Sequence, residues 1–215
     1  MKKYIAELLG TFALVFCGTG AIIINELYGG SVSHVGIAIT FGLIVTAMIY
    51  AFGEISGAHI NPAVSIAFAI TGDLHKKDIL PYILFQIIGA FLASGLLKLL
   101  FPLSLNLGAT LPAGSQWQSF VLEVILTFIL MVVIFRAPKN KETSKFAGLA
   151  IGGVVLLEAM FAGPVCGASM NPARSIAPAI VSGNLTALWL YIFAPISGTI
   201  LATFTQLLFN SKDSI

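Results

Sequence analysis

An all-α integral membrane fold, with six transmembrane helices and two half-helices in an inverted repeat, is what three features of the sequence predict. The first is apolarity. Of 215 residues 58% are hydrophobic and 9% charged, with a mean hydropathy of +0.99, more apolar surface than one soluble globule can hide. The second is six apolar runs, near 4–25, 34–53, 79–101, 117–136, 146–163 and 186–209. Crossing roughly 30 Å of hydrocarbon takes about 20 such residues; the fifth run is short. The third is a duplication: Gly57-Ala58-His59-Ile60-Asn61-Pro62-Ala63-Val64-Ser65-Ile66-Ala67 returns 110 residues later as Gly167-Ala168-Ser169-Met170-Asn171-Pro172-Ala173-Arg174-Ser175-Ile176-Ala177, with eight of eleven positions identical.

In the first run, Lys2-Lys3 before an apolar stretch is a pattern shared with secretory signals. No small-x-small cleavage pattern closes the run, Glu7 interrupts it, and Val15-Phe16 before Cys17 are too bulky for a lipoprotein site. It reads as a retained span. Lysine and arginine placement then sets orientation. With the N-terminus inside, Lys2, Lys3, Lys76, Lys77, Arg136, Lys139, Lys141, Lys145 and Lys212 all lie on the cytoplasmic side, nine of the eleven basic residues, and the C-terminus lies there too. Lys98 can snorkel from the end of the third span. Arg174 falls at membrane depth, where a charge costs about 2.5–3.5 kcal/mol and calls for a function.

After each repeated motif the chain is too short to span. Asn before Pro is a helix start, with Asn as N-cap and Pro at the first helical position, where its missing N–H costs nothing. The segments Asn61 to Thr71 and Asn171 to Val181 hold about eleven residues, or about 16 Å at 1.5 Å per residue. Two of them end to end can cross. On the orientation above, 53–60 is cytoplasmic and 163–170 external, so the half-helices enter from opposite faces and meet near the midplane. Non-helical backbone at that depth must be buried in protein or line water.

The duplication extends past the motif. Glu7, Thr11, Phe12 and Leu14 recur as Glu123, Thr127, Phe128 and Leu130 at an offset of 116, and Tyr82, Ile83, Gly89 and Ala93 recur as Tyr191, Ile192, Gly198 and Ala202 at 109. Three spans per half make the halves antiparallel. The expected organisation is one domain over 1–215: a first repeat of about 1–101, a connecting loop 102–116 crossing outside, and a second repeat of about 117–215.

Other classes have little support. The sequence has no His-Glu-x-x-His, no Gly-x-Ser-x-Gly and no nucleophile–base pattern, which argues against an enzyme. The net charge of +2 comes without a basic tract, so no nucleic-acid partner is expected. No cofactor or metal is implied. Cys17 and Cys166 form no disulfide framework or cluster and read as small packing residues, although Cys166, five before Asn171, could face a vestibule.

At these residues the sequence resembles the aquaporin, or major intrinsic protein, family over essentially its whole length: two Asn-Pro-Ala signatures, an arginine three residues after the second Asn, and an Ala-Glu near the N-terminus. The resemblance implies a homotetramer in the cell membrane with one pore per subunit. Each pore passes water or small uncharged solutes passively and excludes ions and protons. Asn61-Pro62-Ala63 and Asn171-Pro172-Ala173 would form the pore centre. A half-helix carries roughly half a positive charge at its N-terminus; two together oppose a cation at 4 Å by about 4 kcal/mol at an effective dielectric of 20. Each Asn can cap its helix through the carbonyl and point its amide into the lumen, offering water donors only.

By family position Arg174 belongs to the outer constriction, and family spacing puts Phe41, Ala159 and Ala168 beside it. Two alanines make a wider, less polar ring than the His and Cys-like pair typical of water-selective members. With Phe161-Ala162-Gly163-Pro164 and Tyr191-Ile192 this most resembles the nodulin-26-like subgroup, implying glycerol, urea-like solutes and metalloid hydroxides such as arsenous or boric acid. A strictly water-selective channel is the alternative within the family. A secondary transporter is the alternative outside it, since inverted repeats and broken helices are also its signature.

Glu7 and Glu123, carboxylates within spans, are expected from the resemblance to accept backbone N–H groups of the loops before the half-helices, turning the opposite carbonyls toward the pore. Glu158, beside Ala159, either bonds to loop backbone near 163–170 or faces the pore. His59 is expected at the cytoplasmic vestibule, as a backbone-bonding residue or a gate, with Glu54 as its possible partner. His34 and His75 read as surface residues. Ser65 and Ser175 are expected to back-bond within the half-helices.

Overall fold

A computed structural model describes residues 1–211; Lys212, placed on the cytoplasmic side by the sequence, lies outside the described residues. Helices α1 (Lys2–Leu27), α2 (Ser33–Ser56), α4 (Lys76–Leu100), α5 (Gln116–Arg136), α6 (Ala147–Cys166) and α8 (Leu188–Ser211) alternate with two short ones, α3 (Pro62–Thr71) and α7 (Pro172–Ser182). Among the described residues six helices are long and apolar enough to cross a membrane. The fifth is longer than its apolar run suggests. It continues through Pro164 to Cys166, so the loop before α7 is only five residues.

The ends of the elements follow their local chemistry. Both α2 and α6 stop on a left-handed glycine, Gly57 (φ 83°) and Gly167 (φ 82°), where a side chain would clash. Asn61 and Asn171 are extended N-caps with Pro next. Both half-helices end on left-handed glycines as well, Gly72 and Gly183.

Packing repeats with the sequence. Helix α1 lies on α4 as α5 lies on α8, and α2 crosses α6 between the halves. At the first two crossings glycine permits backbone contact: a Cβ on Gly89 would fall on the Leu8 carbonyl oxygen, and one on Gly198 on that of Val124. At the third, a Cβ on Gly42 would lie 2.6 Å from the Gly152 carbonyl oxygen. These crossings bring both half-helices between α4 and α8. At one rim Asp78 accepts from Lys3 Nζ (2.7 Å) and the Tyr4 hydroxyl (2.6 Å), latching α1 to α4.

One expectation needs correction here, and another gains detail. His34 is half-buried rather than on the surface; its Nε2 lies 2.8 Å from the Met160 carbonyl oxygen, because Gly163 leaves room for the ring. The 102–116 loop does more than cross outside. Ser104, Leu107 and Thr110 are buried, Ala113 N–H donates to the Val165 carbonyl (2.9 Å), and the Thr110 hydroxyl donates to Ser175 Oγ (2.8 Å).

Candidate functional site

The half-helices meet tip to tip. Asn61 Oδ1 accepts from Ala63 N–H (2.9 Å), and Asn171 Oδ1 accepts from Ala173 N–H (3.0 Å) and Arg174 N–H (3.4 Å). The amides reach across. Asn61 Nδ2 donates to the Met170 carbonyl (2.8 Å) and Asn171 Nδ2 to the Ile60 carbonyl (2.8 Å). The sequence points an amide N–H of each Asn into the lumen; the structure adds that one hydrogen of each ties the tips together. An amide nitrogen carries two, so one per Asn is left.

The carbonyls are presented by strained backbone. Ala58, Ile60, Ala168 and Met170 all have positive φ, between 42° and 54°, a region costly for residues with a Cβ. Two buried carboxylates hold it. Glu7 Oε1 accepts from His59 N–H (2.9 Å) and Ser56 Oγ (2.7 Å), and its Oε2 from Ile60 N–H (2.7 Å) and Gln86 Nε2 (2.7 Å). Glu123 accepts from Ser169 N–H (2.7 Å) and Met170 N–H (2.8 Å). Tyr82 and Tyr191 complete the frame by donating to the Ser56 carbonyl (2.8 Å) and the Cys166 carbonyl (2.7 Å). With their N–H groups turned outward to the glutamates, the loops line the interior with the other side of the backbone.

That interior is one cavity of about 450 Å³. Its lining runs from Arg174 and Phe41 past Asn171 and Asn61 to Pro138 and Ser144. Phe41, Ala159, Ala168 and Arg174 all border it. Arg174 is 2% exposed; its guanidinium lies 5.0 Å from the centre of the Phe41 ring, and its Nη1 donates to the Gly108 carbonyl (2.8 Å). Its buried Nε has no protein partner. Gly108 is a residue that sequence reasoning missed: it stands 66 positions from Arg174, in a loop without charge, and its left-handed φ of 65° is the one local sign of its role.

His59 borders the cavity. Its Nδ1 lies 3.1 Å from Ser65 Oγ, and its ring stacks on Phe68 with centroids 4.7 Å apart. Three other candidates do not join it. Glu54 is exposed and makes no contact with His59, since α2 is still helical there and carries its side chain outward. Cys166 is fully buried behind the loop, its thiol directed at the Ala162 carbonyl (3.5 Å), rather than in a vestibule. Glu158 is buried, with no protein partner on either carboxylate oxygen, and is absent from the cavity lining. It lies about 100° around α6 from Ala159, which takes it off the lumen face and away from the loop N–H groups that Glu123 occupies. Ser65 back-bonds weakly to the Asn61 carbonyl (3.3 Å), whereas Ser175 bonds to Ser169 and Thr110 instead. Among the described residues no cluster of His, Cys, Asp and Glu has metal-site geometry.

Comparison with known proteins agrees with this architecture. The family description "Major intrinsic protein" matches residues 1–206. The chain is 48% identical over 202 residues to "Aquaporin NIP1-1" of Zea mays, covering 93% of this chain and 72% of that one. It is 45% identical over 202 residues to "Nodulin-26" of Glycine max, covering 93% and 74%. Among solved structures it is similar to the aquaglyceroporin from Plasmodium falciparum, with a TM-score of 0.85 at 26% identity over 94% of this chain and 93% of the other. By sequence, fold and the meeting of its two half-helices, the chain belongs to the major intrinsic protein family, as a multi-pass aquaporin channel of the nodulin-26-like type.

Proposed function

We propose that this channel conducts water together with small uncharged solutes wider than water, namely glycerol, urea-like molecules and undissociated metalloid hydroxides such as arsenous or boric acid, while excluding ions and protons. The observation that carries this reading is the make-up of the ring. Phe41, Ala159, Ala168 and Arg174 border one cavity, and two of the four are methyl side chains. Arg174 supplies charge and donors on one side, Phe41 an apolar wall, and the alanines width. A polyol or a trihydroxide can pass its oxygens along Arg174 and its carbon or metalloid body along Phe41. Further in, Asn61 and Asn171 offer one free N–H each and the helix tips oppose cations, so water passes with its oxygen toward the amides and a proton wire is interrupted.

The chain acts as one unit, residues 1–101 and 117–215 contributing one half of the conduit each and 102–116 bracing the ring. The assembly is a homotetramer in the cell membrane with both termini cytoplasmic, as lysine and arginine placement favours. Coupled transport is disfavoured because, among the described residues, no carboxylate borders the cavity and Glu7 and Glu123 already accept from the loops. Stopped-flow measurements on proteoliposomes test the reading. Water, glycerol and arsenous acid fluxes should be linear in gradient and unaffected by a protonophore; water flux with neither solute passing overturns it.

A further inference from the structure

The Phe41 ring owes its position to a glycine on another helix. Gly18 is buried in α1, and a Cβ built there would lie 2.5 Å from Phe41 Cζ and 2.6 Å from Cδ1. Real carbon contacts do not approach this distance, so any side chain at position 18 displaces the ring. The next residue braces the second support of the ring: a Cβ on Gly108 would meet Thr19 Cβ and the Thr19 carbonyl oxygen at 2.9 Å. One turn of α1 therefore backs both Phe41 and the loop carbonyl that holds Arg174. Displaced from α1, Phe41 moves toward the cavity it borders and the Arg174 guanidinium at 5.0 Å.

We infer that Gly18 is a specificity-determining residue of the channel: by giving the Phe41 ring a recess in α1, it holds the constriction open to solutes wider than water. The inference rests on the reading of Phe41 and Arg174 as the constriction. The recess is a matter of one methyl group. In a fitted pocket a single methylene changes discrimination by about ten-fold or more, so Gly18→Ala should lower the glycerol-to-water permeability ratio by about ten-fold.

The test is stopped-flow flux of water and glycerol through proteoliposomes holding the full chain, for G18A, F41L, G18A/F41L and G20A. Gly20 lies on the same helix, and its Cβ would meet Leu97 Cδ2 at an ordinary 3.5 Å. A lowered ratio in G18A, returned by the double variant to that of F41L, with G20A like the wild type, supports the assignment. A folded G18A with an unchanged or raised ratio overturns it, as does a G20A effect of equal size. Should G18A fail to assemble, recovery of assembly in G18A/F41L supports the ring as the obstacle, and failure of both overturns it. An altered ratio in F41L with none in G18A removes the role of Gly18 alone, whereas an unaltered ratio in F41L removes the constriction reading as well.

Discussion

The loops before α3 and α7 do the same mechanical work with different side chains. Both expose their N–H groups to a glutamate, both are held by a tyrosine from behind, and both give one carbonyl to the opposite asparagine. Around that shared frame they diverge. Glu7 has Gln86 and Ser56 as further donors, whereas the residue matching Gln86 at the offset of 109 is Pro195, which has no side-chain donor. Where α3 has Val64, α7 has Arg174, and His59 is matched by Ser169. The duplication keeps what fixes the backbone and varies what the lumen meets. Structure is therefore shared between the halves, whereas the arginine that borders the cavity comes from the second.

The largest expected effect comes from erasing the charge difference. Arg174→Val gives α7 the side chain of α3, removing a charge worth about 4 kcal/mol against a cation at 4 Å and an effective dielectric of 20. Electrical recordings on reconstituted bilayers should detect a cation leak, and Val64→Leu, a change without charge at the matching position of α3, should give none. If R174V stays as tight to ions as the wild type, ion exclusion does not rest on this difference between the halves.

Next come the carboxylates. Replacing Glu7 with Gln sets an amide against four donors, and replacing Glu123 sets one against two backbone N–H groups. Each buried donor left unsatisfied costs about 1–3 kcal/mol, so E7Q should lose more thermal stability in detergent than E123Q. The reverse order breaks the comparison.

Smaller again is the cap. Asn171 accepts from two backbone N–H groups and Asn61 from one. A cap lost to Ala costs about 0.5–2 kcal/mol, with N171A at the upper end and N61A below it, read as melting temperatures of the purified variants. The smallest effect is none at all: Glu54→Gln should leave flux unaltered at every pH between 5 and 8, the usual range of a histidine switch, because the side chain does not reach His59.

The duplicated parts were legible because the chain states them twice. Asn-Pro pairs, Glu7 with Glu123 and Tyr82 with Tyr191 carry their offsets openly, and short segments after each motif could only be half-helices. What escaped has no local signature. Gly108 matters through its carbonyl, to a residue 66 positions on; Gly18 matters through the side chain it lacks. Pro164 marks no helix end, since α6 passes through it to Cys166. For Glu158 the letters offered two partners, loop and lumen, and the turn of α6 denies it both.

The reciprocal bonds between Asn61 and Met170, and between Asn171 and Ile60, bear on biogenesis. Residues 57–61 leave the ribosome more than a hundred positions ahead of 167–171, and until then the earlier segment has a donor and an acceptor with no mate in hydrocarbon. Burying such groups unpaired is costly, so the two stretches are stable at depth only together. The channel's centre thus requires the second stretch to have been made before the first has its partners.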